Sequence, residues 1–287
     1  MKIKWLIQDV VLGLSQVYRK FDALYYMEQK ISGIGVMHDY PYITGLDVAI
    51  EEDIETKYVL LVGIKVLNLL KAAKNISDVV ENPTDFQLEN SDIILKALIN
   101  GIYYDFEKFD QAFYGKLDLP LLNHNAIYIP IKDNLKTYFD HDKFIKPSRD
   151  LKAFDAGILK AGQTVEDFIL SKKRQNFFME ELLVVSDVLD IASEYRFFIV
   201  DDKVVAGSGY RYNNVVKEDA NVPDYLYRIA NEYKDLYKPA DIFTMDLALL
   251  KDNSVKIIEY NCFNCSGVYL CDLVKTFSAI NNYLLKK

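Results

Sequence analysis

Cysteine, histidine, proline and glycine are all scarce in this chain, and each scarcity closes off a class of protein. The 287 residues hold three cysteines, three histidines, seven prolines and twelve glycines. Cys262, Cys265 and Cys271 are an odd number crowded into one short stretch, which excludes a disulfide framework. The C-x-x-C spacing of the first two has no second pair and no neighbouring histidine to complete four zinc ligands, so plain buried thiols are expected. His38, His124 and His141 form no recognisable pairing, and no G-x-S-x-G elbow appears, which argues against a nucleophilic triad. A long apolar run is missing too. "YVLLVGIKVLNLL" carries Lys65 and falls short of the roughly 20 residues of a spanning helix, and Gln8 and Asp9 break what would have to be a signal-peptide core. A soluble, cytoplasmic protein with no membrane partner is the expectation. Basic surplus is also lacking: 34 Lys and Arg against 42 Asp and Glu give a net charge of -8 and a pI of 5.1. That balance argues against broad binding to nucleic acid.

Two phosphate motifs are absent as well. There is no G-x-x-x-x-G-K-[ST] loop, and "GIGVMHDY" has Gly33 and Gly35 without the third glycine of a dinucleotide fingerprint.

What is present is a 51% hydrophobic chain, ample for a packed core, with no repeat or low-complexity linker. Over the first 110 residues, short strands alternate with helical periodicity. "KIKWLIQ" reads as extended, "SQVYRKFDALYYMEQK" as helical, and "KYVLLVGIKVLNLLKAAK" as a strand turning into a helix at Gly63. Residues 111 to 131, with two prolines and few helix signals, read as a connection. Beyond 140 the pattern becomes strands in hairpins with packed helices, including a strand in "DKFIKPSRD" ending at Lys146 and a helix capped at Thr164.

"KIIEYNCFNCSG" places Glu259 and Asn261 on one face of a strand, since side chains alternate. If the preceding hairpin turns at Asp252-Asn253, Asp246 lies directly opposite Glu259. Like charges opposed on a sheet repel, so a cation should lie between them, unless both acids simply face solvent at a sheet edge. Two carboxylates and an amide oxygen are hard ligands suited to Mg²⁺.

The hairpin "SEYRFFIVDDKVVAGSGYR" adds cations. A two-residue loop at Asp201-Asp202 puts Arg196, Lys203 and Arg211 on one face, where a polyphosphate would offset their repulsion and accept guanidinium forks. A three-residue loop would put Lys203 and Arg211 on the face opposite Arg196, and a solvated outer face is the plain alternative. Taken alone, Lys146 reads as a surface lysine, and Asp150, Lys152 and Lys173 as surface charges.

Four blocks in order between residues 140 and 272 resemble the ATP-grasp superfamily: "FIKPSRDLKAF", "LLVVSDVLDIASEYRFFIVDDKVVAGSGYR", "FTMDLALL" and "IIEYNCFNCSG". Within it they look like the phage and bacterial clade marked by two arginines and a lysine. The resemblance implies an α+β fold with two domains. Residues 1–125 would be a pre-ATP-grasp α/β domain, and 126–287 an ATP-grasp domain of two α+β subdomains with antiparallel sheets, packed helices and a hinge near 186–189. It makes Lys146 a nucleotide contact and Ser186, Asp187, Val188 and Leu189 the adenine-lining hinge, with Asp187 or Asp190 on the ribose. Arg196, Lys203 and Arg211 become the phosphate- and substrate-facing cations, with Arg211 closest to the transition state. Asp246, Glu259 and Asn261 become the magnesium ligands. The loop "PSRDLKAFDAG" departs from the family in lacking a Gly-rich lid.

The implied activity is ADP-forming ligation with ATP and Mg²⁺ as cofactors. A carboxylate would be activated as an acyl phosphate and captured by an amine, the two substrates being an amino acid, a peptide or a protein terminus. Recognition would fall to the N-terminal domain and the loops around Tyr210 to Val216. A kinase acting on a hydroxyl and a non-catalytic nucleotide-binding protein are the alternatives.

Overall fold

The computed structural model describes residues 2–8, 34–38, 45–46, 56–61, 72–78, 83, 85–99, 101–102, 104, 107–149, 153–173 and 179–287. The helices expected over 15–30 and after Gly63 lie outside these residues, as do Asp150 and Lys152. The chain falls into two compact units. One holds residues 1–104, 205–208 and 262–287, the other residues 105–204 and 209–261.

The first unit contains a four-stranded sheet of order β3-β2-β1-β4, with β1 (Lys2–Gln8) parallel to both β2 (Ile34–His38) and β4 (Thr56–Leu61); β3 (Gly45–Leu46) is antiparallel to β2. The run Tyr58–Leu61 is buried throughout although β4 ends the strand order, and its outer side is met by Ile102, which donates to Tyr58 O and accepts from Leu60 N. Trp5 of β1 stacks on Phe277 with ring centroids 4.1 Å apart and donates from Nε1 to Asn281 Oδ1 at 2.8 Å. Both partners belong to the helix Leu273–Leu284, which begins where the Asp272 carboxylate accepts from Lys275 N. The three cysteines are free thiols: Cys262 and Cys271 are buried and Cys265 half-buried, as expected.

The second unit carries a four-stranded antiparallel sheet of order β5-β8-β6-β7: β5 (Ile127–Pro130), β6 (Lys143–Pro147), β7 (Gly157–Leu159) and β8 (Leu182–Asp187). Its core is Ile145, Leu159, Leu183 and Val185 packed on Phe168 and Ile169 of the helix Val165–Leu170. Thr164 caps that helix as the sequence predicts, accepting from Asp167 N at 3.1 Å and donating to Asp167 Oδ2 at 2.6 Å. The segment read as a bare connection contains more structure than expected. Asp110 caps the short helix Gln111–Tyr114, and β5 pairs with β8, a partner distant in sequence. Strand β6 also runs one residue beyond Lys146, to Pro147.

A five-stranded sheet of order β11-β10-β9-β12-β13 completes the described strands: β9 (Ile191–Val200), β10 (Lys203–Tyr212), β11 (Val215–Asp219), β12 (Ile242–Leu250) and β13 (Val255–Cys262). Asp201 and Asp202 both adopt left-handed backbone, φ 48° and 61°, which makes the two-residue primed turn between β9 and β10. Asn213 and Asn214, at φ 46° and 64°, make a second one. The stretch around Tyr210 to Val216, expected as loop, is therefore a hairpin in which Tyr212 faces Val215.

The turn between β12 and β13 differs from expectation. Leu250 N donates to Ser254 O and Asn253 N to Leu250 O, so the loop has three residues rather than two. The Asp252 carboxylate accepts from both the amide and the hydroxyl of Ser254, and Asn253 takes the left-handed position at φ 68°. Leu250 therefore pairs with Ser254 at the turn, and the register that set Asp246 directly opposite Glu259 does not arise there. The outer edge of β13 is covered: Ile257 N donates to Pro120 O and Leu122 N to Ile257 O. No helix among the described residues is long and apolar enough to cross a membrane.

Candidate active site

The candidate site residues lie in the second unit, on β6, on β8 and residues 188–190 that follow it, and on the five-stranded sheet. Asp246 on β12 is 1% exposed and is the direct register partner of Arg196 on β9. The guanidinium forks onto the carboxylate, Nε to Oδ1 at 2.8 Å and Nη2 to Oδ2 at 2.7 Å. Burial of the pair requires such geometry, because a desolvated carboxylate without a counter-charge costs several kcal/mol. Tyr210 Oη and Asn261 Nδ2 each approach Asp246 Oδ2 at 3.4 Å. Asn261 thus shares the face of Asp246 despite the three-residue turn. Glu259, two residues earlier on β13, lies on that same face by alternation.

Glu259 has its own cation. Lys146 on β6 is buried and places Nζ 2.7 Å from Glu259 Oε2. The sequence expects one cation between the two acids; in the structure each acid instead has a partner of its own from the chain. Asp246 takes Arg196 and Glu259 takes Lys146. The reading of Lys146 as a surface lysine is corrected, since the ion pair with Glu259 is what permits its burial.

The three cations do not converge. Lys203 is exposed beside the turn, next to Val200, four residues and about 13 Å along the strand from the level of Arg196. Arg211 is half-buried and directs Nη1 to Glu194 Oε1 at 3.3 Å, while its Nε is buried without a hydrogen-bond partner. Glu194 is the residue that sequence reasoning missed. It is buried, two residues before Arg196 and on the same face. Burial pushes its carboxyl above the usual range, Arg211 and Tyr210 oppose this, and Asp246 adds to it. The face thus alternates Arg211, Glu194, Arg196 and Asp246, and its positive charges are met by protein carboxylates. The alternation that grouped the arginines pointed equally to Glu194.

At the end of β8, Ser186 is buried and donates to Asn123 Oδ1 at 3.0 Å. Asp187 is the register partner of Lys143, whose Nζ sits 2.7 Å from its Oδ1 and holds its carboxyl below the usual range. Val188 and Leu189 are exposed apolar residues, and Asp190 is exposed with Lys251 Nζ 3.6 Å away. Hard oxygen donors from Asp246, Glu259 and Asn261 fit Mg²⁺ by their chemistry.

Residues 131–279, more than half the chain, match the family described as ATP-grasp domain, R2K clade family 2. No curated protein matches the chain. Among solved structures, D-alanine–D-alanine ligase from Helicobacter pylori is similar at a TM-score of 0.55 and 14% identity, over 100% of this chain and 98% of that one. D-cycloserine synthetase DcsG gives 0.55 and 11%, over 99% and 100%. The ATP complex of D-alanine–D-alanine ligase from Bacillus anthracis gives 0.51 and 12%, over 100% and 97%. A match to the ligase PsnB with a phosphomimetic precursor spans 61% of this chain and 59% of that one. At these identities the structures establish a shared fold, a mixed α+β architecture with antiparallel sheets, and the match over residues 131–279 makes the chain a member of the ATP-grasp superfamily, R2K clade family 2.

Proposed function

We propose that this protein is an ATP- and Mg²⁺-dependent ligase that joins a carboxylate to an amine, releasing ADP and phosphate through an acyl phosphate. The observation that carries this reading is the pair of matched ion pairs, Arg196 on Asp246 and Lys146 on Glu259, in a chain of the ATP-grasp family. Two acids held on one face by exchangeable cations are a site poised to trade those cations for a metal and a polyphosphate. The Bacillus anthracis ligase of the same fold is solved with ATP.

In this reading residues 126–287 are the catalytic domain and 1–125 the preceding domain, acting in the cytoplasm. Asp246, Glu259 and Asn261 would hold Mg²⁺, which when bound would offset charge on the transferred phosphoryl group. Lys146, paired with Glu259 in the structure, would turn to phosphate oxygens, and backbone groups of Ser186 to Leu189 would line the adenine. Asp190 is better suited than Asp187 to the ribose, because Asp187 is tied to Lys143. Arg196 orients Asp246 when the metal is absent and contacts phosphate when it is present. Arg211, with one guanidinium edge on Glu194 and Nε unpartnered, stabilises the in-flight phosphoryl group and then the tetrahedral oxyanion. Lys203, at the tip of its hairpin, contacts substrate rather than nucleotide. The acceptor is an amino acid, a peptide or a protein terminus.

Calorimetric titration with a non-hydrolysable ATP analogue, with and without Mg²⁺, tests the site. Mg²⁺-dependent binding that Asp246→Asn/Glu259→Gln loses supports it and justifies screening carboxylates and amines for ADP release. No binding under either condition would reduce the acidic pair to a structural role.

A further inference from the structure

Among the described residues three acids are buried, Glu181, Glu194 and Asp246. Asp246 is matched by Arg196, and Glu181, just before β8, accepts from the backbone N–H of Arg149. Glu194 is the acid that the proposed chemistry leaves without a task.

Its place in the sheet sets what can neutralise it. Strand β9 lies between β10 and β12, and the register partner of Glu194 on β12 is Ala248, which is fully buried and brings no charge. Arg196, two residues further along β9, meets Asp246 at the equivalent position. The cation for Glu194 comes instead from β10. Arg211 Nη1 stands 3.3 Å from Glu194 Oε1, and the Tyr210 hydroxyl hydrogen-bonds the same carboxylate while lying 3.4 Å from Asp246 Oδ2. The two ends of the ion pair differ: the side chain of Glu194 is 8% exposed and that of Arg211 is 42% exposed. A fixed acid thus holds a long side chain that solvent would otherwise leave free to change rotamer. Stability alone does not call for this arrangement. An apolar residue in place of a buried charged one is often as stable or more so, and Arg211 is exposed enough to be solvated without its partner.

We propose that Glu194 is a positioning residue, which by holding Arg211 between β9 and β10 presets the guanidinium for the phosphoryl group in flight. This rests on the role given to Arg211 above, and the test separates the two.

Calorimetric titration compares a non-hydrolysable ATP analogue, ADP, and ADP with aluminium fluoride, a mimic of the transferred phosphoryl group, all with Mg²⁺. Wild type binds ADP-fluoroaluminate at least about tenfold more tightly than ADP. Glu194→Leu, which strands no buried charge, weakens the fluoroaluminate complex at least about tenfold and leaves the ATP analogue within about threefold of wild type. The same variant melts at or above wild type, whereas loss of a merely structural glutamate would lower the melting temperature and spare the mimic. Glu194→Gln, which keeps an acceptor oxygen, recovers part of the affinity. Added to Arg211→Ala, Glu194→Leu has no further effect, because it acts only through the guanidinium. Fluoroaluminate binding that survives Glu194→Leu but is lost in Arg211→Ala would overturn the positioning role alone. Binding that survives Arg211→Ala, or a wild type that treats ADP and ADP-fluoroaluminate alike, would overturn the Arg211 reading and the positioning role with it.

Discussion

Arg196 and Asp246 stand directly opposite each other on β9 and β12, and the guanidinium closes both carboxylate oxygens at 2.8 and 2.7 Å. The two strands are not joined by a turn, so this contact belongs to the assembled sheet. It leaves an acid that is nearly fully buried dependent on a cation that the proposed chemistry would also need. The pair is thereby self-neutralised, and in the proposed reaction loading the site would mean exchanging partners rather than filling a void.

Removing the cation exposes that dependence. Arg196→Met should destabilise the fold by about 3–5 kcal/mol, the usual cost of stranding a buried charge. Mg²⁺ should restore part of the loss if Asp246 is a ligand. Thermal unfolding of the variant with and without millimolar Mg²⁺ reads this directly. A melting temperature indifferent to Mg²⁺ would argue that no divalent ion reaches Asp246.

Lys146 offers a parallel case on the other acid. Lys146→Met removes the partner of Glu259 and, in the proposed reading, a phosphate contact with it, so the affinity for an ATP analogue should fall at least about tenfold. Lys146→Arg should recover part of it. A variant that binds the analogue as wild type does would return Lys146 to a purely structural role.

Arg211 is expected to act later. Its guanidinium is already half engaged by Glu194, and its proposed partner is charge that appears only during phosphoryl transfer. Arg211→Ala should therefore abolish turnover while changing ATP affinity little, a split between kcat and binding that reports transition-state contact. Turnover above half of wild type would remove Arg211 from that role.

Much of the site was legible from alternation and turn chemistry, and its limits have physical causes. Asp201-Asp202 announced a tight turn, and both residues take the left-handed backbone it needs, which sets Lys203 beside Val200; Arg211 lies beyond a register shift in β10, and its contact with Glu194 rather than the turn places it. Asp252-Asn253 announced a turn too, but side-chain hydrogen bonds to Ser254 enlarge it by one residue, a choice the dipeptide does not reveal. The ion pairs were beyond reach for another reason. Arg196 meets Asp246, and Lys146 meets Glu259, across strands whose adjacency depends on the whole sheet order. The pairing of β5 with β8 escaped notice for the same reason. Glu194 is different, since alternation placed it beside Arg196 and only attention to cations alone left it out.

The pH dependence of stability gives a test at Glu181, free of any ligand. Its carboxyl is raised by burial above the range of an unfolded glutamate, about 4.3. Between those two values the native state holds a proton that the unfolded chain has lost, so stability falls as pH rises. The favourable contribution is complete below the unfolded value and is gone once pH has passed the folded one. Glu181→Gln cannot ionise and should not show this decline. The variant should therefore melt above wild type at pH 7 to 8, and the advantage should vanish toward pH 4. Melting curves of both proteins across that range cancel every other titration they share, and parallel profiles would mean that Glu181 ionises as freely when folded as when unfolded.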